Sequence, residues 1–195
     1  MRLPDTLLNT CDRMDECNIS IDVEASGPIP GEYSMLSIGA CVIGEKERQF
    51  YAEIKPLNGM YVKKALEVCR LSMEELKLNG EEPAAAMKRF AAWVRSVSNG
   101  KHPTFCSFGT FDWMFVKWYL AKFAGEGLFG PNGCDMKSYY AGMMGVGFGE
   151  ARKRYIKKAF KISGRHTHNA LDDALEQAEL FEMFLRFNKN KQRTI

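Results

Sequence analysis

Residues 18–27 read NISIDVEASG, a strand pattern that carries two acids. Ile19, Ile21 and Val23 alternate with Ser20, Asp22 and Glu24, the period-two pattern of a β-strand. Asp22 and Glu24 are two residues apart, so both side chains leave the same face of the sheet. Like charges so placed repel, and each raises the other's pKa unless something positive lies between them. The ordinary explanation is a solvent-facing edge of an amphipathic strand. Against it, the strand runs into the turn-rich GPIPGE (27–32), and such loops carry sites in α/β proteins.

After that loop, MLSIGACVIG (35–44) and RQFYAEIKP (48–56) read as two further strands joined by a polar EKE turn, an antiparallel meander. The period then changes. Val62 to Leu78 predicts one or two short helices, and Pro83 to Val97 a longer one. In that longer helix Pro83 suits the first position, and Phe90, Trp93, Val94 and Val97 share a face. HPTFCSFG (102–109) predicts a short buried strand, FDWMFVKWYLAKFA (111–124) an apolar helix, Asp135 the start of another, and Ala170 to Phe187 the last long one. The order βββ, α, β, α, α is that of a mixed α/β domain.

The chain has 195 residues, 46% hydrophobic and 26% charged, as expected for one globular domain. We expect that domain over 18–188, with an N-terminal extension over 1–17 and a basic tail over 189–195. No apolar run reaches 18 residues, so no membrane span or membrane partner is expected. The first residues lack a signal-peptide pattern. Six cysteines without CxxC spacing read as reduced, mostly buried thiols, and the expectation is a cytoplasmic protein. A zinc site would need close ligand pairs, and only His166 and His168 are paired. The net charge of +3 is mild, but Arg152, Lys153, Arg154, Lys157 and Lys158 fall within seven positions. Such a run is either solvated surface or a phosphate-contacting stripe.

Two more places concentrate acids. In HTHNALDDALEQA (166–178), Asp172 shares a helix side with Glu176, Glu179 and Arg186, which reads as the solvent side. Asp173 falls instead with Leu180 and Phe184 on an apolar arc, where a carboxylate needs a cation, donors or a metal. The helix N-terminus alone offers partial compensation. Asp112 opens the aromatic-rich helix, and taken alone it reads as an N-terminal cap.

Taken together, Asp22-x-Glu24, then Asp112 in SFGTFD, then His168-x-x-x-x-Asp173 resemble the three motifs of the DEDD exonuclease superfamily. That group holds ribonuclease T, oligoribonuclease and the proofreading subunits of DNA polymerases (DnaQ-like), and the resemblance spans about residues 18 to 188. A histidine five residues before the last aspartate, with Asn169 four before it, marks the DEDDh subclass. The resemblance implies a ribonuclease-H-like fold, a five-stranded mixed sheet flanked by helices. It also implies a metal-dependent 3′→5′ exonuclease acting on single-stranded nucleic acid ends and releasing nucleoside 5′-monophosphates. Ser107-Phe108-Gly109 stands where many members have His-Asn, closer to small RNA-trimming relatives, which tilts the expectation toward RNA over DNA. A non-hydrolytic binding module of the same fold is the alternative, and degenerate members generally lose an acid or the histidine. Several relatives pair, so a homodimer is a further expectation.

Two hard divalent ions, Mg²⁺ or Mn²⁺, suit an acid-rich, cysteine-free site for phosphodiester hydrolysis. By resemblance Asp22, Glu24 and Asp173 hold the first ion, Asp22 bridges to the second, Asp112 supports that one, and His168 is the general base. His166 reads as a turn residue. For the substrate, Ala25, Ser26 and Gly27 are expected beside the terminal nucleotide, and Met35 or Leu36 as a wedge against the last base. Phe108 and Trp113 are stacking candidates, with Trp113 more ordinary as core, and the run Arg152 to Lys158, with Lys157 and Lys158 the residues to test, is expected to border the site and hold phosphates of the incoming strand.

Overall fold

A computed structural model describes residues 15–125, 127–160 and 167–193. The central strand is β1 (Glu16–Ala25), which starts two residues ahead of the expected domain boundary. It pairs antiparallel with β2 (Met35–Val42), and β2 pairs antiparallel with β3 (Glu45–Glu53). On its other side β1 runs parallel to β4 (His102–Ser107), which is parallel to the two-residue β5 (Cys134–Asp135). The order is β3-β2-β1-β4-β5, the five-stranded mixed sheet expected.

Seven helices complete the described residues: α1 (Lys63–Cys69), α2 (Met73–Asn79), α3 (Pro83–Ser98), α4 (Phe111–Phe123), α5 (Met136–Met144), α6 (Lys153–Ala159) and α7 (Ala170–Arg193). Helices α3 and α4 cover one face of the sheet. There Ile19, Ile21 and Val23 pack with Phe90, Val94, Phe105 and Tyr119, all buried. Helix α7 covers the other face and closes a second core of Leu180, Phe181 and Phe184 with Met136, Tyr140 and Ile156. The alternation of β1 therefore sorts residues between two helical layers rather than between core and solvent. Ser20 and Asp22, the polar set, are buried under α7.

Two local expectations are corrected, and two further elements appear that the sequence pattern does not announce. The β2–β3 reversal is made by Ile43 and Gly44, and EKE begins β3 instead, because Gly44 supplies the positive φ (+92°) that a tight turn needs. The strand β5 was too short to read, and the basic run forms helix α6. The last helix extends to Arg193, so the expected basic tail continues it.

A close approach sets the position of α7. Gly39 on β2 pairs across from Asp22, and a Cβ added at Gly39 would lie 2.2 Å from the backbone of Ala170 and Leu171. Only a glycine lets the start of α7 rest on the sheet there. No helix among the described residues is long and apolar enough to cross a membrane.

Candidate active site

Asp22 and Glu24 emerge from the end of β1 onto the face under α7, and the first turn of α7 brings Asp173 to them. Asp173 is not needed as a cap. Asn169 does that work, its Oδ1 accepting the N–H groups of Leu171 (3.0 Å) and Asp172 (3.2 Å). Asp173, only 1% exposed, instead reaches back to the preceding turn. Its Oδ1 accepts the N–H of Thr167 (3.2 Å) and its Oδ2 that of His168 (3.1 Å). These bonds hold His168 in a left-handed conformation (φ +57°), which is strained for a residue with a Cβ. Ligand atoms of Glu24, His168 and Asp173 all lie within 4.8 Å of one another.

Asp112 enters from the sheet's other side of the strand end. It opens α4, yet it does not cap that helix, where Thr110 is the N-terminal residue without a side-chain cap. Its Oδ1 accepts the N–H of Val23 at 3.0 Å, tying α4 to the strand between Asp22 and Glu24. Gln177, buried one turn after Asp173, donates its Nε2 to Asp22 Oδ1 at 2.6 Å and accepts the N–H of Phe108 at 3.0 Å through Oε1. Glu24 and Asp173 thus meet beside His168, and the charges of Asp22 and Asp112 act on that pair.

The electrostatics follow from that convergence. Burial raises the Asp22 carboxyl well above the usual carboxylate range, and Asp112, Glu24 and Asp173 push it further, against the pull of Lys153. Burial likewise pushes Glu24 up to about 8, reinforced by the charges of Asp173 and Asp112. Asp112 is pushed up to about 7, again chiefly by burial; its backbone hydrogen bonds and Lys153 oppose the rise, and Asp173 adds to it. A cluster of this kind must bind protons or cations. Its donors are carboxylate oxygens, the set that a hard divalent ion takes, with the His168 imidazole beside them, so the residues fit Mg²⁺ or Mn²⁺.

The other expected site residues divide. Ala25, Ser26 and Gly27 do flank the acids, but all three are buried. Ser26 is a tie within the loop: its Oγ donates to Met60 O (2.8 Å) and accepts Ser34 N–H (2.9 Å). The ring of Tyr33 lies where a Cβ on Gly27 would be. Met35 and Leu36 are both 0% exposed, so a wedge at either is corrected: β2 lies between two helical layers, and one side chain serves each core. Phe108 is half-buried against the second core, and Trp113 packs edge-on against Phe105 as core.

Glu176, expected toward solvent, is corrected as well. It is largely covered and paired to two lysines of α6, Lys153 at 2.6 Å and Lys157. Burial acts to raise its carboxyl, but the hydrogen bonds and charges of those lysines outweigh it and hold Glu176 below its ordinary value. Lys157 is therefore engaged with Glu176, while Lys158 is exposed. His166 lies outside the described residues. The sequence reading does not single out Gln177 or Gly39 as site residues, and it holds Lys153 only as one member of the basic run. A signal existed for Gln177, which follows Asp173 by one turn on the same arc.

Comparison with known proteins agrees with this geometry. The RNase T exonuclease family model matches residues 19–181. The 3′-5′ DNA exonuclease Cap18 of Escherichia coli is 40% identical over 179 residues, which cover 91% of this chain and 96% of that protein. Among solved structures, the nuclease domain of 3′hExo, described as a DEDDh family member and bound to rAMP, superposes with a TM-score of 0.72. It is 13% identical, and the match covers 90% of this chain and 94% of that one. S. pombe Pop2p with Mg²⁺ and Mn²⁺ bound gives 0.61 at 14% identity, covering 91% and 85%. At such identities the two structures speak for the fold.

Proposed function

The chain belongs to the RNase T exonuclease family as a 3′→5′ exonuclease of the DEDDh group, and from that premise we propose that it shortens single-stranded DNA from the 3′ end, releasing nucleoside 5′-monophosphates. The observation that carries the proposal is the convergence of Glu24, His168 and Asp173 within 4.8 Å, beside Asp22 and Asp112. The sequence tilt was toward RNA. We place DNA first because the relative at 40% identity is named for DNA, over nearly the whole of both chains.

In the proposed reaction Asp22, Glu24, Asp112 and Asp173 would be the residues that hold the divalent ions. Two such ions, when bound, would supply an activated water and relief for the charge on the departing 3′-oxygen. His168 takes the proton from the attacking water, a task suited to an imidazole near neutral pH and worth ~10²–10⁴-fold in rate. Asp173 fixes that histidine through its two backbone hydrogen bonds, and Gln177 fixes the carboxylate plane of Asp22. A non-hydrolytic binding module is disfavoured because all four acids and the histidine are present.

The test is a matched panel of DNA and RNA oligonucleotides, single- and double-stranded, with Mg²⁺ or Mn²⁺. Single-stranded DNA is expected to be shortened fastest. Faster loss of RNA would reverse the sugar assignment, and binding without shortening under every metal would favour the non-hydrolytic module.

A further inference from the structure

Helix α6 was visible in the sequence only as a basic run, and its chemistry is more specific than surface charge. Lys153 and Lys157 are one turn apart, and both ammonium groups meet the single carboxylate of Glu176. Glu176 sits on the first turns of α7, three residues after Asp173 and next to Gln177, which holds Asp22. The pairing therefore fastens Lys153 against the turn of α7 that follows Asp173, with its side chain 21% exposed. From there its charge acts on both Asp22 and Asp112, two of the acids proposed to hold the ions.

Resting on the exonuclease reading above, we infer that Lys153 contacts the phosphate of the linkage being cut, and that Glu176 is the positioning residue that holds it there. Charge balance favours this assignment. Four carboxylates and two divalent ions cancel, so they leave the phosphodiester, which gains negative charge as water attacks, facing a neutral site. Lys153 and Lys157 exceed Glu176 by one positive charge, which supplies the missing complement. A cation aimed at charge that develops during the reaction acts on the chemical step more than on ground-state binding.

The experiment measures kcat and KM on a single-stranded DNA oligonucleotide at saturating Mg²⁺, together with calorimetric Mn²⁺ binding, for the parent, Lys153→Met, Lys153→Arg and Glu176→Gln. Lys153→Met is expected to lose about tenfold or more in kcat with KM changed less than about threefold. That loss should persist however much Mg²⁺ is added, Mn²⁺ should bind with unchanged stoichiometry and equal or greater affinity, and Lys153→Arg should recover most of the rate. A kcat for Lys153→Met within about twofold of the parent, or one restored by more Mg²⁺, would overturn the inference, since the lysine would then only offset acid repulsion. Should Lys153→Met not fold, Glu176→Gln decides: kcat must fall at least about threefold with Mn²⁺ stoichiometry intact. An inactive parent would sink the exonuclease reading and this inference with it; an active parent with an unaffected lysine variant sinks this inference alone.

Discussion

Gln177 joins Asp22 to the loop after β4: its amide nitrogen is 2.6 Å from Asp22 Oδ1, and its oxygen accepts the Phe108 N–H at 3.0 Å. One uncharged side chain thus orients an acid of the first motif and anchors the segment leading to Asp112. Gln177→Ala leaves a buried N–H without its acceptor and an aspartate free to rotate. The expected outcome is an activity loss of roughly 10–100-fold, the range for a group that orients a metal ligand. A stability loss of about 1–3 kcal/mol should accompany it in denaturant titration. An enzyme with parental kcat would show that Asp22 needs no such support.

Gly39 makes the second prediction. A methyl group there meets the backbone of Ala170 and Leu171 at 2.2 Å, and backbone cannot move aside as a flexible side chain can. Gly39→Ala should lower stability by about 1–3 kcal/mol and reduce activity as well, because α7 carries Asp173 and Gln177. Chemical denaturation and a rate assay on the same preparation check both. Full activity with unchanged stability would mean that the approach of α7 to β2 is not required.

Much of this site was legible in advance, and the reason is physical. Asp22 and Glu24 on one strand face, and Asp173 on an apolar helix arc, are carboxylates where a folded chain tolerates them only with compensation, and such conflicts show in sequence. The meander, the α3 face of Phe90 and Val94, and the long last helix followed from periodicity. What escaped were features set by tertiary packing. Burial of Met35 and Leu36 depends on α-helices covering both faces of β2, which period two cannot report. The pairing of Glu176 with Lys153 and Lys157 joins residues about twenty positions apart, so helix-wheel reasoning on α7 alone assigned Glu176 to solvent.

Proton linkage gives the third prediction. Asp22, Glu24 and Asp112 have ion-free pKa values above their ordinary ones, with Glu24 at about 8 and Asp112 at about 7. Between the ordinary values of 3.8 and 4.5 and these raised ones, the folded protein binds more protons than the unfolded chain. Stability without metal should therefore be full at acid pH and fall as pH rises through that window. In EDTA the melting temperature is expected to decline from pH 5 to pH 8, and Mg²⁺ should flatten or reverse the trend by replacing the protons. A melting temperature in EDTA that rises over this range would contradict the burial of uncompensated acids.

His168 supplies the fourth. Replacing it with Gln keeps bulk and polarity but removes the base, and kcat should fall ~10²–10⁴-fold. Mn²⁺ affinity should change far less, since the carboxylates remain. A loss of ion binding equal to the loss of rate would make His168 a metal ligand rather than a base.

Asp22, Glu24, Asp112 and Asp173 are proposed together to hold divalent ions for hydrolysis beside His168. The most direct measurement follows a 5′-labelled single-stranded DNA with Mg²⁺, with EDTA, and with Asp173→Asn. A ladder shortening from the 3′ end, abolished by EDTA and reduced at least ~10²-fold in the variant, is the expected result. Undiminished shortening in EDTA, or by Asp173→Asn, would contradict it.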